Sequence, residues 1–411
     1  MGDKIALGFH ACVDFELEWD QKKLEELIKL YDIKNEELTT DLYADSERQL
    51  LVACLGHMRE GMGAEFIPET SEICFDFSQH FKYKITVGGT AARAATAISK
   101  IGYESALSMV CYNKHIKEQL PKEVHYYSNI GETHGDIYPH VVLSYPSGAH
   151  IQVNDIDFVT PRENRLLISR DIDSLKMVIS QGFAPMMKDA EVMLVSCFSE
   201  VLEEDILEER MRQLNQLLEE LPDSAFVICE DGCYINKEFR LYVHKALHEK
   251  LDALSMNEDE MQDYIGRRID IMNPEAVLEA LQYIYERIEI PLLIVHSAAW
   301  AIAYGKDAGS MGHVLEGGIN SASTRFQWGD YYGVKEYEDT SKLPVRQDSI
   351  AFGDRLKEIS DREICCISSK DLSFVKHPVV VGLGDYFAGG LLPELMLDKR
   401  NQTKGNDEKE G

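Results

Sequence analysis

Several features that would place a protein in a class at once are missing from this sequence of 411 residues. No run of about 18 apolar residues occurs, so no helix is predicted to cross a membrane. The opening residues, MGDKIALGFHACVDF, contain too short an apolar stretch for a signal peptide. None of the nine cysteines forms a CxxC pair, and neither of the close pairs, Cys229/Cys233 and Cys365/Cys366, has the spacing of a zinc site. We therefore expect free thiols in a reducing cytoplasm.

Positive charge is scarce, because 42 Lys and Arg face 71 Asp and Glu and leave a formal charge of −29. This balance argues against nucleic-acid and anionic-membrane partners, both of which require clustered cations. It leaves an anionic substrate open, since a local cation cluster or a bridging metal is enough to bind one. No GxGxxG follows an early strand, which argues against a dehydrogenase.

Short apolar runs alternate with longer amphipathic stretches, a pattern typical of βα units around a mostly parallel sheet. The sequence therefore predicts an α/β fold with ligands at the carboxyl ends of the strands. Strands are predicted at residues 4–10, 104–112, 191–198, 225–230, 291–297, 363–368 and 378–381. Helices are predicted at 90–101, 201–221, 237–251, 274–288, 347–359 and 385–396, the fourth with Asn273 as N-cap and Pro274 at its first position.

Two stretches break this alternation and predict a small β-rich lid. Residues 67–87 read as short strands in SEICFDF and FKYKITV, and residues 138–155 as a hairpin of VVLSY and HIQVN. We assign residues 1–14, 86–135 and 161–411 to a large domain, and 15–85 and 136–160 to the lid. The polar tail, 398–411, is predicted to be flexible.

The sharpest motif is VVVGLGDYFAGGLL, residues 379–392. Glycines allow close backbone approach to a ligand, and the partial positive charge of a helix N-terminus suits a phosphoryl group. Gly382, Leu383 and Gly384 are therefore candidates for an anion hole. Asp385 can take a proton from an attacking hydroxyl there. The alternative is a tight turn in which Asp385 only caps the helix.

A second motif is SMNEDE, residues 255–260. Asn257 and Glu260 can hold water around Mg²⁺, which prefers carboxylates, waters and phosphate oxygens. Glu230 ends the apolar run AFVIC at the strand edge and is a third candidate. The alternatives are a capped helix start for the motif and a solvated strand end for Glu230.

Acceptor-site candidates come from the first quarter of the chain and from three arginines. Asp14 follows the first strand, and Gly88-Gly89 opens a small-residue helix. Arg93 is unusual in such a packed helix unless it meets an anion. Arg165 and Arg325 are further candidates, although a surface salt bridge explains each when it is judged singly.

The order of these motifs resembles that of the ribokinase-like sugar kinases, and most closely their ADP-dependent glucokinase/phosphofructokinase branch. PRENRLL, Glu230, SMNEDE, VHSAAWAIAYG, INSASTRFQWGD and VVVGLGD carry the resemblance over nearly the whole chain. It departs at Tyr386 and Phe387, where the family usually has Thr and a small residue after the aspartate. We expect these bulky side chains to narrow the nucleotide side of the site.

The resemblance implies a three-layer αβα domain with a lid that closes over the sugar. It implies that Asp385 is the catalytic base, that residues 382–384 form the anion hole, and that Glu260 and Glu230 lie near Mg²⁺. It also places Asp14 and Gly88-Gly89 at the sugar.

We therefore expect a cytoplasmic Mg²⁺-dependent kinase that uses ADP to phosphorylate a hexose or hexose phosphate. Arg93, Arg165 and Arg325 favour fructose 6-phosphate over glucose because a second phosphate needs cations. An ATP-dependent sugar kinase and a non-catalytic sugar- or nucleotide-binding regulator remain alternatives. The oligomeric state is not predicted.

Overall fold

A computed structural model describes residues 4–131, 137–234 and 236–410, with side chains as far as Lys399. Within these residues no helix is both long and apolar enough to span a bilayer. The strands are β1 (Ile5–Phe9), β2 (Cys12–Leu17), β3 (Tyr43–Ala44), β4 (Ala64–Pro68), β5 (Tyr83–Gly88), β6 (Ser105–Met109), β7 (Val124–Ser128), β8 (Pro139–Tyr145), β9 (His150–Val153), β10 (Ile156–Val159), β11 (Asn164–Ile168), β12 (Val192–Ser196), β13 (Phe226–Glu230), β14 (Ala253–Asn257), β15 (Leu292–His296), β16 (Trp300–Gly305) and β17 (Ile364–Ser368).

The α-helices follow the same numbering along the chain. They are α1 (Gln21–Leu30), α2 (Glu47–Glu60), α3 (Ser71–Gln79), α4 (Thr90–Lys100), α5 (Lys114–Gln119), α6 (Ile172–Lys176), α7 (Ala184–Met187), α8 (Glu204–Leu218), α9 (Lys237–Leu247), α10 (Glu258–Ile265), α11 (Pro274–Ile288), α12 (Gly312–Trp328), α13 (Val334–Ser341), α14 (Gln347–Ile359) and α15 (Leu383–Glu410).

A sheet of nine strands, in the order β17-β16-β15-β14-β13-β12-β1-β6-β7, forms the centre of the molecule. All neighbours from β15 to β7 are parallel, and β16 is antiparallel to both of its neighbours. The chain builds outward from β1 in both directions, so the strand order reverses there. In a sheet of this kind the ligand crevice lies outside the carboxyl ends of the strands at that reversal.

Helices cover both faces of this sheet, because side chains alternate along each strand. Ile5 and Leu7 pack in one apolar cluster with residues of α4, α12 and α15. Ala6, on the opposite face, packs in another with residues of α8, α9, α11 and α14. The predicted α/β class with three layers is confirmed.

A second sheet, in the order β3-β4-β11-β8-β2-β5, is linked to the first by very short connections. Only His10 and Ala11 separate β1 of the large sheet from β2 of the small one, and only Gly89 separates β5 from α4. These two crossings are adjacent, since Cys12 pairs with Gly88. The small sheet therefore begins at the crevice of the large one.

Where helical periodicity is strong, the predicted elements agree with the structure. Helices α11 and α14 have the predicted bounds, and the Asn273 side chain accepts a hydrogen bond from the Ala276 amide at 2.9 Å. Pro274 occupies the first helical position, where its missing N–H costs no hydrogen bond.

Three predictions of strands or strand pairing were wrong. SEICFDF lies in α3, whose buried Cys74 and Phe77 are three residues apart, as on one helix face. VVLSY and HIQVN do not pair with each other, because β8 lies between β2 and β11 while β9 pairs with β10. Residues 378–381 form no strand, and the Val379 amide instead bonds to the Phe326 carbonyl of α12. Among the elements that were not predicted are β7, β14, β16, α12 and α13.

The proposed domain limits stay a prediction. The boundary at 135/136 lies outside the described residues. The flexible tail also stays a prediction, although the backbone of α15 continues to Glu410.

Candidate active site

The two crossings bring Asp14 and the Gly88-Gly89 pair together. A Cβ at Gly88 would lie 2.0 Å from Asp14 Oδ1, so the backbone passes directly against this carboxylate. Gly89 has φ +86°, and a Cβ there would lie 2.7 Å from the His10 carbonyl oxygen. Only glycine fits both the conformation and the space.

Arg93, on the first turn of α4, connects the two sheets electrostatically. Its Nη2 donates to Asp14 Oδ2 at 2.5 Å, and its Nε donates to the Val87 carbonyl at 3.1 Å. Its Nη1 lies 3.8 Å from Asp385 Oδ2. Burial opposes the charge of Arg93, but Asp14, Asp385 and Glu16 raise its pKa. The anion that the sequence required for Arg93 is thus supplied by the protein's own carboxylates.

Helix α15 starts at Leu383, directly beside Arg93. Gly382 has φ +76°, and a Cβ there would lie 2.2 Å from Arg93 Nη1, so a larger residue would displace the guanidinium. A Cβ at Gly384 would meet His296 Cε1 at 3.4 Å. Residues 382–384 therefore place free helix N–H groups next to a buried cation, an arrangement suited to an anion.

Asp385 lies in the first turn of α15 with its side chain 21% exposed. Burial raises its pKa, and Arg93 and a hydrogen bond with Thr90 act in the opposite direction. Glu230 and Asp14 add to the upward shift. A carboxylate with a raised pKa that still reaches solvent is suited to accept a proton from a bound hydroxyl.

Three buried acids, Glu230, Asp231 and Glu260, follow the carboxyl ends of β13 and β14, and Asp231 is ion-paired with Arg240 at 3.3 Å. Glu230 Oε1 is 3.2 Å from His296 Nε2, whereas Glu230 Oε2 is buried with no hydrogen-bond partner. Burial and the charges of Asp231 and Glu230 raise the pKa of Glu260 well above its usual value. An unpartnered buried oxygen in a carboxylate cluster fits the oxygen-rich donor set that Mg²⁺ prefers.

Asn257 and Glu260 also form a capping box at the start of α10. The Asn257 side chain accepts from the amides of Asp259 and Glu260, both at 2.9 Å, and Glu260 Oε2 accepts from the Asn257 amide at 2.8 Å. The capped helix weighed in the sequence analysis is therefore present. It leaves the second oxygen of Glu260 for another partner.

The other two predicted arginines lie apart from Arg93. Arg325, on α12, is buried, pairs with Asp330 and lies over the Tyr386 ring at 4.9 Å. Arg165 is exposed on β11 of the small sheet; burial raises the pKa values of Glu65 and Glu258, and the charge of Arg165 offsets part of that rise. Because Glu258 belongs to α10 and Glu65 to β4, Arg165 faces the cleft between the sheets.

A cavity with about 400 Å³ of empty space, part of it open to solvent, lies in this cleft. Its charged lining residues are Glu65, Arg170, Asp171 and Glu200, and Ser199 and Cys233 add polar groups. Burial and Glu200 raise the pKa of Glu65 to about 7. Asp385 does not line the cavity. It is linked to the cavity through Thr90, whose side chain bonds to Asp385 and accepts a hydrogen bond from the Cys197 thiol at 3.3 Å. Cys197 lies two residues before Ser199, which lines the cavity.

Sequence reasoning missed three residues of this site. Asp231 directly follows Glu230, the last residue of β13, and His296 is the last residue of β15. Because ligands gather at the carboxyl ends of parallel strands, their positions could have indicated both residues. Thr90 gave no such signal, because its role depends on the position of α15.

The two bulky residues after Asp385 are both buried. Tyr386 packs with Tyr332 and Ala97, and Phe387 stacks on His296 with ring centroids 4.3 Å apart. These contacts fix the first turn of α15 against its neighbours.

Comparisons with known proteins point to one family. A model of the family described as ADP-specific Phosphofructokinase/Glucokinase conserved region matches residues 3–324. The solved phosphofructokinase from Pyrococcus horikoshii OT3 with AMP has a TM-score of 0.75 and 16% identity, over 97% of this chain and 99% of its own. An ADP-dependent kinase in complex with fructose-6-phosphate and ADPβS has the same TM-score and identity, over 96% and 94%. A comparison with curated protein sequences found no match.

Proposed function

Since the chain belongs to the ADP-specific phosphofructokinase/glucokinase family, a family of ADP-dependent sugar kinases, we propose that it transfers the terminal phosphoryl group of ADP to a hexose hydroxyl. The observation that carries this proposal is the position of Asp385. It lies at a helix N-terminus, within reach of Arg93, which also holds Asp14.

In the proposed mechanism, Asp14 and the Gly88-Gly89 backbone bind the acceptor sugar. Asp385 accepts the hydroxyl proton as the sugar oxygen forms a bond to the β-phosphorus of ADP. The bond between that phosphorus and the bridging oxygen breaks, and AMP leaves. The N–H groups of residues 382–384 stabilise the charge on the transferred group. Closure of the cleft excludes water, which would otherwise compete as acceptor.

We propose that Glu230 and Glu260 hold Mg²⁺, with Asn257 contributing through water. The cation would neutralise part of the phosphate charge of ADP, which a protein of net charge −29 cannot do over a broad surface. The support is the unpartnered Glu230 Oε2 and the clustering of acids around Glu260.

Glutamine variants test this assignment. Glu230→Gln and Glu260→Gln should each weaken Mg²⁺ binding in the presence of ADP by roughly 10- to 100-fold, since each removes a ligand charge. A glutamine at 260 can still accept from the Asn257 amide, so α10 keeps its cap. The measurement is calorimetric titration of Mg²⁺, with the exposed Glu279→Gln as control. Unchanged affinity in both variants would remove these residues from the metal site.

We propose an uncharged hexose such as glucose as the acceptor. Two of the three arginines that favoured a phosphosugar, Arg93 and Arg325, are already paired with carboxylates. The cavity lining adds Glu200, whose charge repels a second phosphate.

Fructose 6-phosphate is the second candidate, because two further cations lie in the cleft. Arg165 is exposed towards it, and Arg170 lines its cavity. These two residues can bind a sugar phosphate on the small-sheet side.

The function is tested by measuring AMP and ADP formation with ADP or ATP as donor and glucose or fructose 6-phosphate as acceptor. AMP formed with ADP and glucose supports the proposal, and activity with fructose 6-phosphate alone establishes the second candidate. Turnover only with ATP contradicts the proposed donor. Thermal stabilisation by ADP with no turnover on any pair would favour a non-catalytic regulator.

The pH profile reports on Asp385. Because the base must be deprotonated and its pKa is raised by burial, activity should be lost as the pH falls through a value above 3.8. Thr90→Val removes a hydrogen bond that lowers this pKa, so the acid limb of kcat/KM should move to higher pH. Thr96→Val, on the same helix, is the control. An acid limb that does not move in Thr90→Val would mean that another group controls it.

We also propose a cytoplasmic location. The support is that all nine cysteines are unpaired in the structure, as expected for a reducing compartment.

A further inference from the structure

Two imidazoles and one thiol meet beside the crossing from β1 to β2. We call His10, Cys12 and His140 the His–Cys cluster. Their candidate ligand atoms all lie within 4.8 Å of one another, and the three side chains are buried. His10 lies between the two sheets, Cys12 starts β2, and His140 on β8 pairs with Asp14 in the parallel register.

The donor atoms of this cluster suit one class of cation. Thiolate and imidazole together bind Zn²⁺ and Co²⁺, whereas Mg²⁺ prefers oxygen ligands. With Zn–N and Zn–S bonds of about 2.0–2.3 Å, tetrahedral ligand atoms lie roughly 3.3–3.8 Å apart. The observed limit of 4.8 Å therefore requires side-chain shifts of only about 1 Å.

Both imidazoles are already oriented by outer partners. His140 Nε2 lies 3.3 Å from Asp171 Oδ2, and Ser174 Oγ donates to the same oxygen at 2.8 Å. His10 Nε2 lies 3.0 Å from Ser174 Oγ. His140 thus keeps Nδ1 for another partner, whereas His10 has a second contact with the Cys197 thiol. A carboxylate behind a histidine is the arrangement that commonly supports a metal-bound imidazole.

The cluster lies next to a residue of the cleft cavity and has a direct link to the acceptor site. Asp171, the partner of His140, lines the cleft cavity. Cys12 Sγ donates to Asp14 Oδ1 at 3.2 Å, so any ion that binds the sulfur withdraws this hydrogen bond from Asp14. Cys197 also contacts His10, which places a second thiol near the cluster.

We propose that the His–Cys cluster binds a thiolate-preferring divalent cation, such as Zn²⁺, and that the bound ion weakens acceptor binding at Asp14. The Cys12 thiol releases its proton to solvent as the sulfur–metal bond forms. The metal site stands independently of the proposed function, whereas the effect on the acceptor rests on it.

Cobalt is the probe, because Co²⁺ bound to a thiolate gives a near-ultraviolet charge-transfer band and visible bands typical of tetrahedral geometry. We expect these bands when Co²⁺ is added to the full-length reduced protein, and Zn²⁺ should abolish them. Cys12→Ser should remove the charge-transfer band, and His140→Gln should lower Co²⁺ affinity by roughly 10- to 100-fold. Cys233→Ser and Cys54→Ser, which change an exposed and a buried thiol outside the cluster, should keep the band.

A band that is absent in the wild type, or that persists in Cys12→Ser, would overturn the site. Circular dichroism of Cys12→Ser should match that of the wild type, which would show that the variant is folded. Asp171→Asn is a second variant, which changes the partner of His140 and leaves all three ligands in place.

The proposed weakening of acceptor binding is tested by enzyme kinetics. Zn²⁺ should raise the KM of the acceptor with little change in kcat. Metal binding with an unchanged KM would refute the inhibition and keep the site. If the protein shows no kinase activity, the cobalt spectrum still decides the site.

Discussion

Asp385→Asn is expected to lower turnover by about 10³- to 10⁴-fold and to leave ADP affinity nearly unchanged. The amide is close in size to the carboxylate but cannot accept the hydroxyl proton, and a positioned general base contributes up to about 10⁴-fold. The helix N-terminus and Gly382, which are proposed to bind phosphate, are not altered. Turnover is measured by AMP release, and the ADP dissociation constant by calorimetry.

The matched control is Asp339→Asn, which changes an exposed aspartate on α13 with only a surface partner. Its turnover should equal that of the wild type, because surface ion pairs contribute about 0–1 kcal/mol. If Asp385→Asn kept more than about a tenth of the activity, Asp385 would not be the base and its role would be to cap α15.

Arg93→Met is expected to destabilise the fold by about 3–5 kcal/mol, because it leaves buried carboxylates without their cation. Asp14 is 7% exposed and can gain little solvation, and Asp385 loses the charge that lowers its pKa. In the variant Asp385 takes up a proton more readily when folded, so the destabilisation should be smaller at pH 5 than at pH 8. Urea unfolding at both pH values measures this.

A second buried arginine provides the comparison. Arg325→Met removes the partner of Asp330, but that side chain is 46% exposed and remains solvated, so the loss should be clearly smaller. The double variant Arg93→Met/Asp14→Asn should recover part of the stability, since the two positions are coupled. Equal losses at Arg93 and Arg325 would contradict the account of Arg93 as the cation shared between Asp14 and Asp385.

Helices and strands were predictable where the signals for their start and for their apolar face lie within consecutive residues. Helix α11 has its cap, its N-terminal proline and its apolar face in consecutive residues, and its bounds were predicted as found. SEICFDF failed because seven residues with alternating apolar positions also satisfy one face of a short helix. The hairpin of residues 138–155 failed because β8 pairs with β2, more than a hundred residues away, and no local signal reports such a partner.

The sequence indicated which residues belong to the candidate site, but not which of them contact one another. The glycines and acids stood out at strand ends, and Arg93 stood out as a charge in a packed helix. That Arg93 meets both Asp14 and Asp385 depends on two chain crossings and on the position of α15, which are tertiary properties. For Arg325 the sequence offered a salt bridge as the alternative, and the structure shows its pairing with Asp330, although the arginine is buried on α12, a helix that was not predicted.

The short connections between the two sheets also limit which segments can be exchanged between homologues. Asp14 belongs to the small sheet and Arg93 to a helix of the large one, yet they form one buried ion pair across the connections at residues 10–11 and 89. A chimera that joined the small sheet of one homologue to the large sheet of another would take the two partners of this ion pair from different parents. Exchange of residues 9–93 as one block would keep this pair but would take β8 and β11 of the same small sheet from the other parent, so an exchange that preserves both the pair and the sheet must extend through β11.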